Sequence, residues 1–334
     1  HPNADNVRVT HVDLGDGDLQ QIICGAWNFD EGAVVPVAVP GAVLPGGFEI
    51  GRRTIRGVES NGMICSEREL GLGDVHEGIM VLEGDAALGQ PFESILELPD
   101  VVFDLEVTTN RPDVMGVVGV AREVAAWFDV PFRFPSADLA TVPGKPATSV
   151  SISAPDGCNR FVAREIRDVT VGPSPLWIRE RLRRSGVRAI SNVVDVTNYV
   201  MLELGHPLHA FDAARIDGDR LDVRWAENGE TLVTLDDVER WLTPEDLVIV
   251  DESGPTSLAA VMGGARSEVR ADTTRVLMEA ASWDPPTVMY TSRRHDLRSE
   301  ASARFERGVD PNLGPLANAR ACDLLVRIGG GVIL

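Results

Sequence analysis

Polar side chains in one apolar stretch are the first candidates for chemistry. The stretch VVDVTNYVMLELGHPLHAFD, residues 193–212, contains Thr197, Asn198, His206 and His209. Hydroxyl and amide groups orient a water or an ester by hydrogen bonding, and a histidine accepts a proton near neutral pH. A buried polar group without a partner costs roughly 1–3 kcal/mol, which a bound ligand would offset. A lone histidine beside an apolar face is more often a hydrogen-bonded core residue, and we assign His206 to that class.

A carboxylate and a pair of glycines add to these candidates. Glu279 directly follows Val276, Leu277 and Met278, and a carboxylate inside an apolar strand is costly unless something donates to it. This position favours a functional role for Glu279. The pair Gly263-Gly264 would let a backbone or a bound group approach closely, although a tight turn accounts for it equally well.

Several classes of enzyme are excluded by missing motifs. The sequence has no GxSxG, no HExxH, no GxGxxG and no P-loop, so classical hydrolases, zinc proteases and nucleotide-binding folds have no support. Cys24, Cys65, Cys158 and Cys322 lie far apart, which argues against a zinc site or a secreted disulfide scaffold. No signal peptide and no apolar run of about 18 residues is present. We therefore predict a cytoplasmic protein with no membrane partner.

The elements that position these residues fall into segments that differ in composition and in hydrophobic pattern. A chain of 334 residues is expected to form two or more domains. Residues 1–98 contain short β-rich runs between glycines and prolines, typical of a small OB-type barrel or of a sandwich without an RNA role. Residues 99–148 predict a strand, a helix and a proline-rich linker. The second domain begins at 149.

Two helices in the second domain are predicted from residues that are typical of helix ends. The first is predicted between Ser174, as N-cap, and Gly186, with Pro175 at its first position. The second is predicted between Ser191 and Gly205. This second helix carries Thr197 and Asn198, so its placement decides where those side chains point.

The charge of the chain limits how it meets nucleic acid. Thirty-one basic and fifty-one acidic residues give a net charge of −20, so the summed field repels phosphates. RNA contact therefore requires a local basic patch. The densest group of arginines comprises Arg179, Arg181, Arg183, Arg184 and Arg188. The usual alternative is a solvated face neutralised by carboxylates such as Glu180.

Long motifs throughout the chain resemble one family. HPNADNVRV, GAVLPGGFEI, SNGMICSERELGL, VTTNRPDVMGVVGVAREVA, RRSGVRAISNVVDVTNYVMLELGHPLHAFD and SEASARFERGVDP occur in this order and resemble bacterial phenylalanyl-tRNA synthetase β subunits. The start at His1 without an initiator Met suggests a piece of a longer polypeptide. The resemblance implies a multidomain α+β protein: an N-terminal OB-type β-barrel that binds tRNA over 1–98, a connecting segment over 99–148, and a mixed α+β editing domain over 149–318. It also implies that 319–334 is a helix leading towards a further domain absent from the chain.

The resemblance also implies partners and cofactors. The full family enzyme is an (αβ)2 tetramer that attaches phenylalanine to tRNA(Phe) with ATP and Mg²⁺, and its aminoacylation centre belongs to the α subunit. Magnesium ligands lie in a family domain beyond this sequence, so we expect no cofactor and no metal site in this chain. The expected activity here is hydrolysis of mischarged tyrosyl-tRNA(Phe).

An editing pocket is carried over residue by residue from the same resemblance. Catalytic roles fall to His209, Asn198 and Thr197, and substrate-binding roles to Arg188, Gly263, Glu279, Ser299 and Ala301. Tyrosine is phenylalanine plus one hydroxyl, and a hydrophobic pocket rejects such an analogue by only about 10²-fold, so a second site is needed. Glu279 fits as the acceptor for the phenol hydroxyl. Whether His209 acts as a general base or the site only orients a water stays open.

Two other functions remain as alternatives. In the first, the chain is a tRNA-binding scaffold whose second domain is only structural; an unsatisfied Glu279 on a closed core would support it. In the second, an unrelated hydrolase on a similar α+β module acts on small esters, which activity on free tyrosine esters would favour.

Overall fold

The protein forms two compact units, His1–Val102 and Phe103–Leu334. The computed structural model describes residues 1–74, 76–82, 86–137 and 139–334. Four positions of the predicted barrel and one position of the predicted connecting segment therefore lie outside the described residues. The four-part division at 98, 148 and 318 remains a prediction.

The first unit consists of short strands around two small apolar clusters. Its strands are β1 (Arg8–Asp13), β2 (Leu19–Cys24), β3 (Val37–Ala38), β4 (Val43–Leu44), β5 (Phe48–Glu49), β6 (Arg53–Ile55), β7 (Val58–Ser60) and β8 (Met63–Ile64), followed by the short helix α1 (Phe92–Ile95). They pair as β1–β2, β3–β8, β4–β5 and β6–β7. Within the described residues these ladders do not join into a closed barrel, so the OB type is not established.

The second unit mixes helices and strands, as expected for an α+β domain. Its helices are α2 (Val117–Phe128), α3 (Leu176–Arg184), α4 (Asn192–Leu204), α5 (Pro285–Arg294), α6 (Glu300–Phe305) and α7 (Gly314–Gly329). Its strands are β9 (Ser149–Ile152), β10 (Cys158–Arg167), β11 (His209–Asp212), β12 (Arg220–Trp225), β13 (Thr231–Val233), β14 (Glu239–Trp241), β15 (Leu247–Asp251), β16 (Gly254–Leu258), β17 (Met262–Gly263), β18 (Arg275–Trp283) and β19 (Val332–Ile333).

Two larger sheets organise this unit. One has the order β11-β18-β10-β19, and the other has the order β17-β16-β15-β12-β9. Strand β18 is buried at every position after Arg275, because its two faces serve two cores. Side chains alternate between the faces of a strand. Leu277, Ala281 and Trp283 join the core shared with the second sheet, while Val276 and Met278 join the core covered by helices α4 and α7.

Helix α4 begins and ends at the predicted residues. Helix α3 does not have the predicted N-cap. Ser191 caps α4 by accepting from the amide of Val194, and Gly205 ends it in the left-handed region at φ +77°. The predicted cap of α3, Ser174, instead donates to Oδ2 of the buried Asp195 at 2.6 Å, and the N-cap position is taken by Pro175. The prediction was wrong because a long-range carboxylate competes for this hydroxyl.

Two stretches differ from what their sequence suggests. The strand predicted from residue 101 does not form, and its apolar side chains, among them Val101, Phe103 and Leu105, are exposed. A strand forms only where the segment can pair with the edge of another strand, and an apolar composition alone does not provide such a partner. Near the other end, α7 runs across position 318 and packs against α4, β10 and β18, so it belongs to the core of this unit.

Candidate functional site

The register of three neighbouring strands brings together a histidine, a glutamate and an alanine. His209 of β11 lies opposite Glu279 of β18, and Glu279 lies opposite Ala163 of β10. Directly opposed residues of antiparallel strands point to the same face, with Cβ atoms about 4.5–5.5 Å apart. The three side chains therefore form a row on the face that meets the second sheet.

Glu279 lacks the partners that a buried carboxyl group normally has. Its side chain is 6% exposed, and Oε2 makes no hydrogen bond within the described part of the chain. Burial raises the pKa of Glu279 from 4.5 to about 8. A carboxyl group in such surroundings is mostly protonated at neutral pH, so it can donate one hydrogen bond and accept others.

His209 is the neighbour best placed to share a ligand with Glu279. It is half-buried, its ring packs edge-to-face on Phe211 at 4.5 Å between centroids, and no hydrogen bond to its ring nitrogens occurs among the described residues. Burial lowers the pKa of His209 from 6.5 to about 4. The imidazole is therefore neutral at pH 7, with one nitrogen able to donate and the other able to accept.

Gly263 brings the second sheet against this row. A methyl group on Gly263 would lie 2.8 Å from Nε2 of His209 and closer still to Cε1. The absence of a side chain thus makes room for the imidazole, and not only for a substrate as the sequence suggested. The edge strands β11 and β17, which belong to different sheets, consequently meet at these two residues.

Ser299 and Ala301 lie at the start of α6, beside the same edge. The Ser299 hydroxyl accepts from the amide of Ser302 at 3.0 Å and donates to the carbonyl oxygen of Val261 at 3.1 Å. It therefore caps α6 and ties this helix to the residues just before β17. Ala301 packs, partly buried, against the core shared by the two sheets.

The remaining predicted residues lie on other elements. Helix α4 packs against β11 and carries Thr197, whose hydroxyl donates to the Val194 carbonyl oxygen at 2.7 Å. Asn198 is half-buried, and Arg188 is exposed in the loop between α3 and α4. No hydrogen bond between described residues links these three side chains to His209 or Glu279. His206 is fully buried with Nδ1 2.8 Å from the Pro207 carbonyl oxygen, as a core histidine should be.

Two residues near the site were not anticipated. Leu235 donates its amide to the Gly263 carbonyl oxygen at 3.0 Å, and its Cδ1 lies 3.2 Å from where a methyl on Gly263 would be. Cys158 is buried; burial and the nearby Glu279 carboxyl raise its pKa to about 12. Leu235 lies in a turn, and no local sequence pattern predicts that it contacts Gly263. The proximity of Cys158 to Glu279 follows only from the pairing of β10 with β18.

Neither a metal site nor a membrane span is found in the part of the chain that the structure describes. No group of three or more His, Cys, Asp and Glu side chains there could hold a metal ion. No helix among the described residues is both long and apolar enough to cross a membrane.

Comparisons with known proteins agree along the whole chain. Residues 1–91 match the model of a putative tRNA binding domain, and residues 157–330 match that of the B3/4 domain. The phenylalanine–tRNA ligase beta subunit of Anaeromyxobacter dehalogenans is 49% identical over 335 aligned residues, which cover 100% of this chain and 42% of the relative. The beta subunit of Nocardia farcinica is 50% identical over 329 residues, 98% of this chain and 39% of the relative.

A solved structure is more distant. An N-terminal fragment of the phenylalanyl-tRNA synthetase beta-subunit from Pyrococcus horikoshii aligns with a TM-score of 0.37 at 15% identity, over 72% of this chain and 69% of that one. This chain spans about two fifths of the length of the curated relatives it matches. With a B3/4 domain over more than half of its residues and this similarity from end to end, the chain belongs to the family of phenylalanine–tRNA ligase beta subunits.

Proposed function

We propose that this chain binds tRNA and hydrolyses tyrosyl-tRNA(Phe) at the row formed by His209, Glu279 and Ala163. The observation that carries the proposal is Glu279. A carboxyl group buried in the middle of a sheet with an unpaired oxygen is costly. The phenol hydroxyl of tyrosine would supply the missing partner, and phenylalanine would not.

The protonation states refine the chemistry. A neutral Glu279 accepts from the phenol through its carbonyl oxygen, so the hydrogen bond gains less from charge than an ionised carboxylate would give. A histidine with a pKa of about 4 is a weak base at pH 7. This supports His209 as a group that orients the attacking water. In this proposal Thr197 and Asn198 act at the ester end.

The other predicted residues keep binding roles in the same proposal. Arg188 would contact phosphate, since it is exposed and free of ion pairs in the described structure. Gly263, Ser299 and Ala301 would form the wall around the tyrosine ring, with Leu235 added from the structure. We further propose that the α subunit, ATP and Mg²⁺ serve aminoacylation of tRNA(Phe) in a cytoplasmic (αβ)2 enzyme, and that the first unit is an OB-type tRNA-binding domain.

A second candidate is a tRNA-binding scaffold without catalysis. Glu279 is only 6% exposed, and a buried, unpaired carboxyl group is also what a closed core would contain. The half-buried His209 beside it, with free ring nitrogens, argues for access to the row.

Deacylation of two matched substrates tests the proposal. The chain is incubated with tyrosyl-tRNA(Phe) and phenylalanyl-tRNA(Phe), and the release of each amino acid is followed over time. We expect faster release of tyrosine than of phenylalanine. Release at the uncatalysed rate for both would favour the scaffold, and hydrolysis of a free tyrosine ester at a similar rate would favour a general esterase.

A further inference from the structure

An exposed aromatic residue and an arginine stack on each other at the surface of α3. Trp177 is 42% exposed, and the guanidinium carbon of Arg181, one helical turn later, lies 5.3 Å from the centre of its ring. Tyr199 of α4 packs edge-to-face on Trp177 at 5.5 Å between centroids and receives a hydrogen bond of 2.9 Å from Arg181 Nη1. The three side chains therefore hold one another in a fixed arrangement.

The charges around this cluster are unevenly neutralised. Arg183 and Arg184 form ion pairs with Glu180, at 2.8 Å and 3.8 Å. By contrast, neither Arg181 nor Arg188 forms an ion pair with a carboxylate among the described residues. Two uncompensated guanidinium groups in a chain of net charge −20 create a local site for an anion.

The cluster is fixed next to residues of the proposed hydrolytic site. Tyr199 directly follows Asn198 on α4. Asp195, fully buried in the same helix, accepts from Ser174 Oγ at 2.6 Å and from the Ile190 amide at 2.7 Å. These two bonds fasten the approach to α3 and the loop carrying Arg188 onto α4. The residues leading into the helix that carries Trp177 and the loop that carries Arg188 are therefore both anchored to α4.

We propose that Trp177 and Arg181 form a stacking platform for an unpaired nucleotide of the single-stranded 3′ end of an RNA, with Arg188 contacting its phosphates. Bases stack on tryptophan and on the plane of a guanidinium group regardless of sequence, while arginines follow the phosphate backbone. The inference rests on the proposed function, because it names the surface that would hold the RNA while its aminoacyl ester enters the row at Glu279.

Binding of uncharged RNA tests the platform without requiring hydrolysis. Fluorescence anisotropy is measured with a short labelled single-stranded RNA ending in CCA and with a blunt duplex RNA of equal length. We expect Trp177→Ala to weaken binding of the single strand roughly 5- to 100-fold. Trp177→Phe should retain most of the affinity, since a stacking face remains, and Arg181→Lys should fall between the two.

A matched control is available in the same unit. Trp241 of β14 is 70% exposed and no arginine among the described residues stacks on it, so Trp241→Ala should leave RNA binding unchanged. Equal affinity of Trp177→Ala and the unaltered protein for the single strand would overturn the proposal. An equal loss for the blunt duplex would also overturn it, because the surface would then be a general electrostatic contact. If the unaltered protein binds the single strand as expected but does not deacylate tyrosyl-tRNA, that result would count against the proposed hydrolytic site and not against the platform.

Discussion

Two buried glutamates in one sheet have opposite surroundings. Glu165 of β10 lies opposite Leu277, and Glu279 lies opposite Ala163, so the two carboxyl groups are diagonal neighbours on the same face. Glu165 accepts from the Ala147 amide at 2.7 Å, from Arg167 Nε at 2.8 Å and from Arg275 Nε at 3.1 Å. Glu279 has no such donor in the described structure.

The difference appears directly in the two pKa values. Burial alone would raise the pKa of Glu165, but the hydrogen bonds from Arg167, the Ala147 amide and Arg275 outweigh it and leave the pKa below its usual value. Burial raises the pKa of Glu279 with nothing to oppose it. Glu165 thus has donors that stabilise its ionised carboxylate, whereas Glu279, for which we propose a role in ligand binding, has none among the described residues. Four predictions test this contrast.

The largest effect is expected at the glutamate that has partners. Glu165→Ala leaves two arginine groups and one amide without an acceptor, and should lower the free energy of unfolding by about 3 kcal/mol. Urea denaturation followed by circular dichroism measures it. Glu279→Ala is the matched control and should cost much less, since no donor loses its acceptor. Similar losses for the two variants would contradict the contrast.

As the pH changes, the contributions of the two glutamates to the free energy of unfolding should change in opposite directions. The folded-state pKa of Glu279 is raised, so its contribution to stability is present below pH 4.5 and is lost as the pH rises to about 8. Relative to the unaltered protein, Glu279→Gln should therefore gain stability as the pH rises through this window.

The same measurement on Glu165→Gln provides the opposite case. Because the pKa of Glu165 is lowered, its contribution is present above 4.5 and is lost only as the pH falls below that value. Urea midpoints at a series of pH values give both curves. A difference between Glu279→Gln and the unaltered protein that does not change from pH 5 to pH 8 would show that Glu279 is ionised in the folded chain.

The third prediction concerns recognition of the substrate. Glu279→Ala should slow hydrolysis of tyrosyl-tRNA(Phe) on the order of 10 to 10²-fold, because a buried hydrogen bond to the phenol is lost. Hydrolysis of phenylalanyl-tRNA(Phe) should stay the same or rise. His209→Ala should slow both reactions, since the proposed role of this histidine is at the ester that the two substrates share. An equal decrease for both esters in Glu279→Ala would assign this residue to structure or chemistry.

The smallest effect is expected at the contact between the sheets. Gly263→Ala places a methyl group 2.8 Å from His209 Nε2, so the imidazole must rotate away from its position against Phe211. Overpacking of this kind costs typically about 1–3 kcal/mol, and a ring that can turn keeps the cost near the lower end. Thermal unfolding measures the stability, and deacylation shows whether both substrates slow together. Gly264→Ala, whose methyl group would meet the Thr256 carbonyl oxygen and Cδ1 of Leu232, provides a neighbouring control for a clash that does not involve the imidazole.

The sequence identifies the unusual residues but not their neighbours. Glu279 stands out because an apolar strand surrounds it, and the ends of α4 follow from Ser191 and Gly205. That His209 lies opposite Glu279 depends on a pairing seventy residues apart, which local patterns do not encode. The failed cap at Ser174 has the same origin, since the competing acceptor, Asp195, comes from another helix.

The position of the His209 ring makes it a spectroscopic probe of the two sheets. The imidazole belongs to one sheet, lies where a side chain on Gly263 of the other sheet would be, and stands edge-to-face with the Phe211 ring. Ring currents from an aromatic neighbour shift the resonances of nearby protons strongly with small changes of geometry. The Hε1 resonance of His209 should therefore shift when β11 and β17 separate. It should also shift when a ligand binds between these strands, so that no added label is needed.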